Sequence, residues 1–157
     1  MGPEARFSKE IRDIFTQDDR CKHIYLIVDA HRSGKKPYDF YMLWRGEFVA
    51  IELKVVPKTR TSLSMSVLTE HQVDSLIEVE DGGCVGLFII EFKKQQRVIM
   101  LTPGDVLNLK SLNKKSITLG DIVSNNMLSG YVAKDIKKQY INEIKKIIDS
   151  HIVMQRP

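Results

Sequence analysis

Hydrophobic and polar residues recur along the chain with helical spacing in three places. Apolar residues spaced three and four apart predict an opening amphipathic helix over residues 4–16, with Pro3 suited to its first turn. A second pattern of this kind runs from Leu68 to a stop at the glycine pair 82–83. A third carries isoleucines on one side and lysines on the other over residues 136–152, and it predicts a long closing helix.

Shorter β-rich runs lie between these helical segments. Because Gly46 separates two of the runs, those two are expected to form a hairpin. A polar, basic stretch over residues 31–37 and an irregular one over residues 57–66 predict loops, and Thr102 with Pro103 can open a short helix. The predicted strands are His23–Ala30, Tyr38–Arg45, Glu47–Val56, Cys84–Phe92 and Arg97–Leu101.

The order of these elements indicates the fold class. A series of α, β, β, β, α, β, β, α favours an α/β architecture in which a mixed central β-sheet is flanked by helices. No repeat, low-complexity tract or linker divides the chain, so residues 1–157 are expected to form a single domain.

Composition adds modest constraints. The chain is 43% hydrophobic and 28% charged, which predicts a globular protein, and its net charge of +4 is compatible with a nucleic-acid partner without requiring one.

Cys21 and Cys84 form neither a disulfide framework nor a zinc motif, which indicates a reducing compartment. No apolar run is long enough for a membrane span or a secretory signal. We therefore expect a cytoplasmic location, at the bacterial nucleoid or in the host of a phage.

The run at residues 48–56 carries the most informative chemistry. It is apolar on both alternating faces except for Glu52 and Lys54, so it predicts a central strand on which an ionised side chain needs a partner or a metal. Alternation places Glu52, Lys54 and the small Ala50 on one face, and Asp39 can join them from the neighbouring strand. An ordinary Glu–Lys ion pair on a half-exposed strand, with Asp39 in a turn, is the alternative.

Two converging carboxylates would suit a hard cation. Asp39 and Glu52 would offer oxygen ligands to Mg²⁺, with Mn²⁺ able to substitute, and the carbonyl of Leu53 could add another ligand. A lysine beside such a metal, here Lys54, can orient or deprotonate the attacking water and offset charge on a phosphate.

These residues match a known signature. Pro37-Tyr38-Asp39 followed by Glu52-Leu53-Lys54 resembles the PD-(D/E)XK nuclease motif, with Tyr38 inserted between the proline and the aspartate. The wider stretch over residues 39–92 resembles the RecU and Hjc group of Holliday junction resolvases, including the TEHQ run at 69–72 and the glycine pair at 82–83. The resemblance implies a restriction-endonuclease-like fold.

The resemblance also implies roles for individual residues. Asp39 and Glu52 would be metal ligands, Lys54 the catalytic lysine and Gln72 a helper beside the site. The family places a glutamate of its first helix near the metal, and Glu4 is a better candidate than Glu10. This chain departs from RecU in that helix, because Ser8 follows Phe7 where a glutamate is expected.

Two basic segments flank the proposed site in sequence, and both suit contacts with DNA phosphates as well as they suit ordinary solvated loops. The candidate DNA-binding residues are Arg32, Lys35, Lys36, Lys58 and Arg60.

The leading hypothesis is therefore a Mg²⁺-dependent endonuclease that cuts four-way DNA junctions in recombination, repair or phage DNA processing. The resemblance implies a homodimer, because a symmetric junction needs two paired incisions. One alternative is a VRR-type or restriction-like nuclease that acts on other DNA structures. A second alternative is a DNA-binding module that has the fold without catalysis.

Overall fold

The computed structural model describes residues 1–27, 35–124, 130–134 and 137–155. Its helices are α1 (Pro3–Thr16), α2 (Glu70–Asp81), α3 (Pro103–Lys110), α4 (Leu119–Ser124) and α5 (Lys137–Gln155). Its strands are β1 (Cys21–Leu26), β2 (Phe40–Trp44), β3 (Glu47–Val56), β4 (Ser62–Ser64), β5 (Val85–Phe92), β6 (Arg97–Leu101), β7 (Ser116–Thr118) and β8 (Gly130–Ala133).

Six of these strands form one mixed sheet in the order β1, β2, β3, β5, β6, β8. The pair β3 and β5 is parallel, and the other neighbouring pairs are antiparallel. Strand β3 therefore has a neighbour on each side, which confirms the prediction of a central strand. The predicted α/β architecture with a mixed sheet is confirmed as well.

Helices pack on both faces of the sheet. Helices α1 and α5 cover one face, where Phe7 and Ile144 join a core that includes Ile51 and Leu53 of β3. Helices α2 and α3 cover the other face, where Leu76 and Val106 pack with a second core. Because side chains alternate along β3, residues 50, 52, 54 and 56 face α2.

Most of the predicted elements are present, with boundaries that differ by a few residues. The β2–β3 hairpin turns at Arg45 and Gly46, whose φ angles of 53° and 79° are those that a two-residue type I′ turn requires. Helix α2 ends at Gly82 as expected, and α3 begins at Pro103 after a Thr102 cap. The predicted strand over His23–Ala30 ends at Leu26, and its residues Val28–Ala30 lie outside the described residues.

The structure corrects the prediction of an irregular loop over residues 57–66. Strand β4 lies within that stretch and pairs with β7, so that Leu63 stands opposite Ile117 and both side chains are buried. A single 3-10 turn over Met65–Val67 follows β4. The sequence analysis also missed β7, α4 and β8, because three to six residues carry too little periodicity to predict an element.

Cys21 and Cys84 are both free thiols, as the sequence predicted. Within the described ranges, no helix is long and apolar enough to cross a lipid bilayer.

Candidate active site

The site forms where α2 lies against the centre of the sheet. Ala50 of β3 stands in register beside Gly86 of β5, and both are small residues. A Cβ atom at Gly86 would lie only 2.9 Å from the backbone oxygen of Leu76, so α2 approaches the sheet as closely as the backbone allows. This close packing brings the first turn of α2 over Glu52.

Glu52 is almost fully buried, with 2% of its surface exposed. Its Oε1 atom accepts a hydrogen bond from Gln72 Nε2 at 2.6 Å and lies 3.0 Å from Lys54 Nζ. Its Oε2 atom is buried and has no hydrogen-bond partner among the described residues. One carboxylate oxygen of Glu52 thus interacts with two donors, whereas the other oxygen is available to a ligand.

The N-terminal cap of α2 determines how Gln72 is oriented. Thr69 caps the helix by accepting from the backbone N–H of Gln72, and Gln72 Oε1 accepts from the backbone N–H of Thr69, each over 3.3 Å. Because the amide oxygen of Gln72 is used in the cap, its nitrogen is the atom that faces Glu52.

Asp39 lies directly before β2 and is bonded to the backbone of β3. Its backbone N–H donates to the carbonyl of Ile51 at 3.0 Å, and its Oδ2 accepts from the backbone N–H of Leu53 at 2.8 Å. Its Oδ1 pairs with Lys36 Nζ at 2.7 Å. The N–H and C=O of one strand residue point to the same side, so the Leu53 carbonyl also points toward Asp39.

Electrostatics at the site favour an added cation. Burial, and next the charge of Asp39, raise the pKa of Glu52 from 4.5 to about 7, although Lys54 and Lys36 oppose the shift. The two lysines therefore do not fully compensate the negative charge of Glu52, which is buried and lies near a second carboxylate. A divalent cation would supply the missing compensation.

Comparison with known proteins identifies the family. The family model described as "Recombination protein U", RecU, matches residues 6–148 of the chain. The chain belongs to the RecU family. RecU is a family of Holliday junction resolvases, and the resemblance seen in the sequence is confirmed. A search of the curated proteins gives no match.

Solved structures support the fold of this RecU chain. The Archaeoglobus fulgidus protein Hjc, described as a Holliday junction resolvase from an archaeal hyperthermophile, superposes with a TM-score of 0.51 at 15% sequence identity. The match covers 76% of this chain and 92% of Hjc. At this level of identity the similarity shows a shared fold, and it confirms the predicted restriction-endonuclease-like architecture.

The donors in this RecU chain fit a hard metal ion. Glu52 offers a buried oxygen that has no partner within the described ranges. Asp39 accepts from the backbone N–H of Leu53, and the Leu53 carbonyl points to the same side of β3 as that N–H. Across the part of the chain that the structure describes, no group of three His, Cys, Asp or Glu side chains is placed to hold a metal. The fit therefore rests on two carboxylates and a backbone oxygen.

Helix α1 adds no third carboxylate to the group that Asp39 and Glu52 form in the described structure. Glu4 is exposed and lines a cavity of about 410 Å³ together with Val55 and Pro57, so its role as a ligand stays a prediction. Glu10 lies on the face of the sheet opposite to Glu52, and its carboxylate pairs with Lys134 Nζ at 2.8 Å. Lys134 also pairs with the buried Glu91 of β5.

The predicted DNA-binding residues lie in several environments. Lys35, Lys58 and Arg60 are exposed, whereas Lys36 is partly buried against Asp39. Arg32 lies outside the described residues. Their contacts with DNA stay predictions.

The sequence analysis missed two contacts within the site. Thr69 orients Gln72 through the cap, and the spacing of Thr69 and Gln72 is a capping-box pattern that could have revealed it. Lys36 pairs with Asp39, but a lysine in a basic loop carries no local signal for such a contact.

Proposed function

We propose that this RecU-family chain is a metal-dependent endonuclease that hydrolyses phosphodiester bonds in four-way DNA junctions during recombination, with Mg²⁺ as the preferred ion and Mn²⁺ as a substitute. The observation that carries this proposal is the buried Oε2 atom of Glu52, which has no hydrogen-bond partner in the part of the chain that the structure describes. Burial, and next the charge of Asp39, raise the pKa of this carboxyl. A buried carboxylate oxygen without a donor is costly unless a ligand completes it.

The residues take distinct roles in this proposal. Asp39, Glu52 and the Leu53 carbonyl would hold the metal, which when bound would polarise the phosphate and lower the pKa of its water. Lys54, held 3.0 Å from Glu52 Oε1 and only 8% exposed, would place positive charge beside the scissile phosphate and orient the attacking water. Gln72 would keep Glu52 in position through its 2.6 Å hydrogen bond.

Substrate binding and assembly follow from the same proposal. Lys35, Lys58 and Arg60 are exposed and would contact DNA phosphates, so affinity would fall as salt rises. Resolution of a symmetric junction needs two matched incisions, and a homodimer would supply two sites related by a two-fold axis. As one folded unit over residues 1–157, the chain would act on DNA in the cytoplasm.

A substrate panel tests the proposal. The purified protein would be incubated with Mg²⁺ and a four-way junction, a flap, a linear duplex or a single strand that share the same sequences. We expect paired nicks at symmetric positions in the junction and their loss in Glu52→Gln. Equal cutting of the linear duplex would indicate a restriction-like or VRR-type nuclease. Junction binding without cleavage in either Mg²⁺ or Mn²⁺ would indicate a non-catalytic module.

A further inference from the structure

Strands β4 and β7 form a small two-stranded ribbon, which we call the β4–β7 ribbon. Its strands are antiparallel, with Ser62 opposite Thr118, Leu63 opposite Ile117 and Ser64 opposite Ser116. The two central side chains are buried, so alternation along the strands turns the other four outward. Ser116 and Thr118 are exposed, and Ser62 and Ser64 are partly exposed. The outer face of the ribbon therefore consists of hydroxyl side chains.

The inner face of the ribbon joins it to the side of the sheet that carries the reaction centre. Leu63 packs in the same core as Ala50 and Val56 of β3, which share a face of that strand with Glu52 and Lys54. The chain enters β4 shortly after β3 ends, and it leaves β4 through the 3-10 turn that leads to the cap of α2. The ribbon is thus connected directly to the strand and the helix that form the site.

Basic residues lie at both ends of the ribbon. Lys58 and Arg60 are exposed just ahead of β4, at one end. Because the strands are antiparallel, the exposed Lys114 and Lys115 just ahead of β7 lie at the other end. The backbone N–H of Met65 donates to the carbonyl of Lys115 at 2.9 Å, which fixes this end of the ribbon. The hydroxyl groups of the outer face therefore lie between two basic ends.

A carboxylate also lies next to the ribbon. Asp121 pairs with Lys114 Nζ at 2.8 Å and accepts from the backbone N–H of Thr118 at 3.0 Å. Thr118 Oγ1 in turn accepts from the backbone N–H of Asp121 at 3.0 Å, which leaves the hydroxyl hydrogen of Thr118 to donate elsewhere. Because Asp121 offsets the charge of Lys114, Lys115 is the cation that would act at this end of the ribbon.

The groups on this surface are donors of the kind that proteins use to contact DNA phosphates. Lysine, arginine, serine and threonine side chains all donate to phosphate oxygens, and such contacts position a protein on a duplex without reading its sequence. A two-stranded β-ribbon is also narrow enough to enter the major groove of B-DNA. An outer face of hydroxyl groups offers no apolar patch to a hydrophobic partner. The chemistry therefore favours duplex DNA over a hydrophobic protein or lipid surface.

We propose that the β4–β7 ribbon holds the sugar–phosphate backbone of a duplex arm of the DNA substrate next to the reaction centre. This inference rests on the proposed nuclease function, because it assigns the ribbon to the same substrate. Ser62, Ser116 and Lys115 donate to successive phosphate oxygens of the arm, and Lys58 and Arg60 continue the contact at the other end. Binding at the ribbon depends on the phosphates and little on the base sequence.

Fluorescence anisotropy of a labelled linear duplex, measured over a range of salt concentrations with a metal chelator present, tests the ribbon. Lys115→Ala should weaken binding of any duplex sequence and reduce the slope of log affinity against log salt by about 1, because one phosphate contact is lost. Ser116→Asp should weaken binding as well, because it places a carboxylate against the phosphates. Ser116→Thr keeps a hydroxyl group and should bind like the wild type.

Lys146→Ala is the matched control for the loss of one charge. Lys146 is exposed on α5, which packs on the opposite face of the sheet, so its removal should leave both the affinity and the salt slope unchanged. Midpoints of unfolding by urea, measured for each variant, identify any folding defect. If Ser116→Asp unfolds, the exposed Lys115→Ala still decides the outcome.

Three results would overturn the inference. Equal effects of Lys115→Ala and Lys146→Ala would mean that only the total charge matters. Wild-type duplex binding by Lys115→Ala would mean that the ribbon makes no phosphate contact. Binding of polyglutamate that requires Lys115, with duplex binding unchanged, would assign the ribbon to an acidic protein instead.

The two proposals fail in different ways. Junction cleavage in Mg²⁺ by a protein whose duplex affinity is independent of Lys115 and Ser116 would remove the ribbon alone. Duplex binding that depends on Lys115, in a protein that cuts no DNA in Mg²⁺ or Mn²⁺, would support the ribbon and remove the nuclease assignment.

Discussion

Gln72 Nε2 donates to Glu52 Oε1 over 2.6 Å, and the same oxygen lies 3.0 Å from Lys54 Nζ. Both donors therefore converge on one oxygen of the carboxylate. The second oxygen, Oε2, is buried without a partner among the described residues. Glu52 therefore has one oxygen fixed by two donors and one oxygen that the proposed metal would use.

Removing the amide of Gln72 should reduce cleavage more than binding. Gln72→Ala leaves Glu52 free to rotate, and partners that orient a metal ligand are worth about 10- to 100-fold in activity or metal affinity. Junction cleavage rates and junction affinity would be measured together. Glu70→Ala, an exposed change in the same helical turn, serves as the control. Wild-type cleavage by Gln72→Ala would show that Gln72 serves only the cap of α2.

Glu52 should make the metal-free protein less stable as pH rises. The folded state binds its proton more tightly than the unfolded state, since the pKa of Glu52 is raised from 4.5 to about 7. The resulting penalty is absent below about pH 4.5 and complete above about pH 7, where the shift corresponds to at most about 3 kcal/mol. With a chelator present, Glu52→Gln should therefore unfold at higher denaturant than the wild type at about pH 8.

The same pair of proteins provides the controls. At about pH 4.5 the Glu52→Gln and wild-type midpoints should converge, because Glu52 is then protonated in the folded state. Added Mg²⁺ should stabilise the wild type and leave Glu52→Gln unchanged. A difference between the two proteins that is independent of pH would contradict the buried, shifted carboxylate.

Lys54 should act in the chemical step and contribute little to DNA binding. Its side chain is held against Glu52 and is 11% exposed, whereas Lys58 and Arg60 are exposed in the turn after β3. Lys54→Ala should abolish cleavage and leave junction affinity nearly unchanged, and Lys58→Ala or Arg60→Ala should mainly weaken binding. If Lys54→Ala loses affinity in proportion to cleavage, the residue is a DNA anchor.

Gly86 should be intolerant of even one added carbon atom. A Cβ would lie 2.9 Å from the backbone oxygen of Leu76, so Gly86→Ala must push α2 away from the sheet. We expect a loss of about 1–3 kcal/mol in the free energy of unfolding. Because α2 carries Gln72, cleavage should fall as well.

Gly104→Ala is the matched substitution for this test. The nearest atom to its added Cβ is Thr102 Oγ1 at 3.7 Å, an ordinary contact, and the site is in the first turn of α3. Its midpoint of unfolding by urea should match or slightly exceed that of the wild type. Equal midpoints for Gly86→Ala and wild type would mean that α2 is less closely packed than the structure shows.

The sequence by itself determined the parts of this protein that obey local rules. Two-residue alternation placed Glu52 and Lys54 on one face of a strand, and Gly46 set the hairpin that brings Asp39 beside them. Helical periodicity defined α1, and periodicity together with the glycine pair at 82–83 defined α2. These features could be predicted because each depends on residues only a few positions apart.

Only the tertiary structure decided which side-chain and backbone atoms are in contact. Packing in space determines that Glu52 Oε2 has no partner among the described residues and that Asp39 accepts a hydrogen bond from the Leu53 backbone. It also determines the pairing of Glu10 with Lys134 across 124 positions of sequence. The pairing of β4 with β7 and the stacking of Tyr25 on Tyr41 likewise depend on strand register. These contacts form when helices and strands pack against each other. The surfaces that pack are distant in sequence, so no local periodicity reveals them.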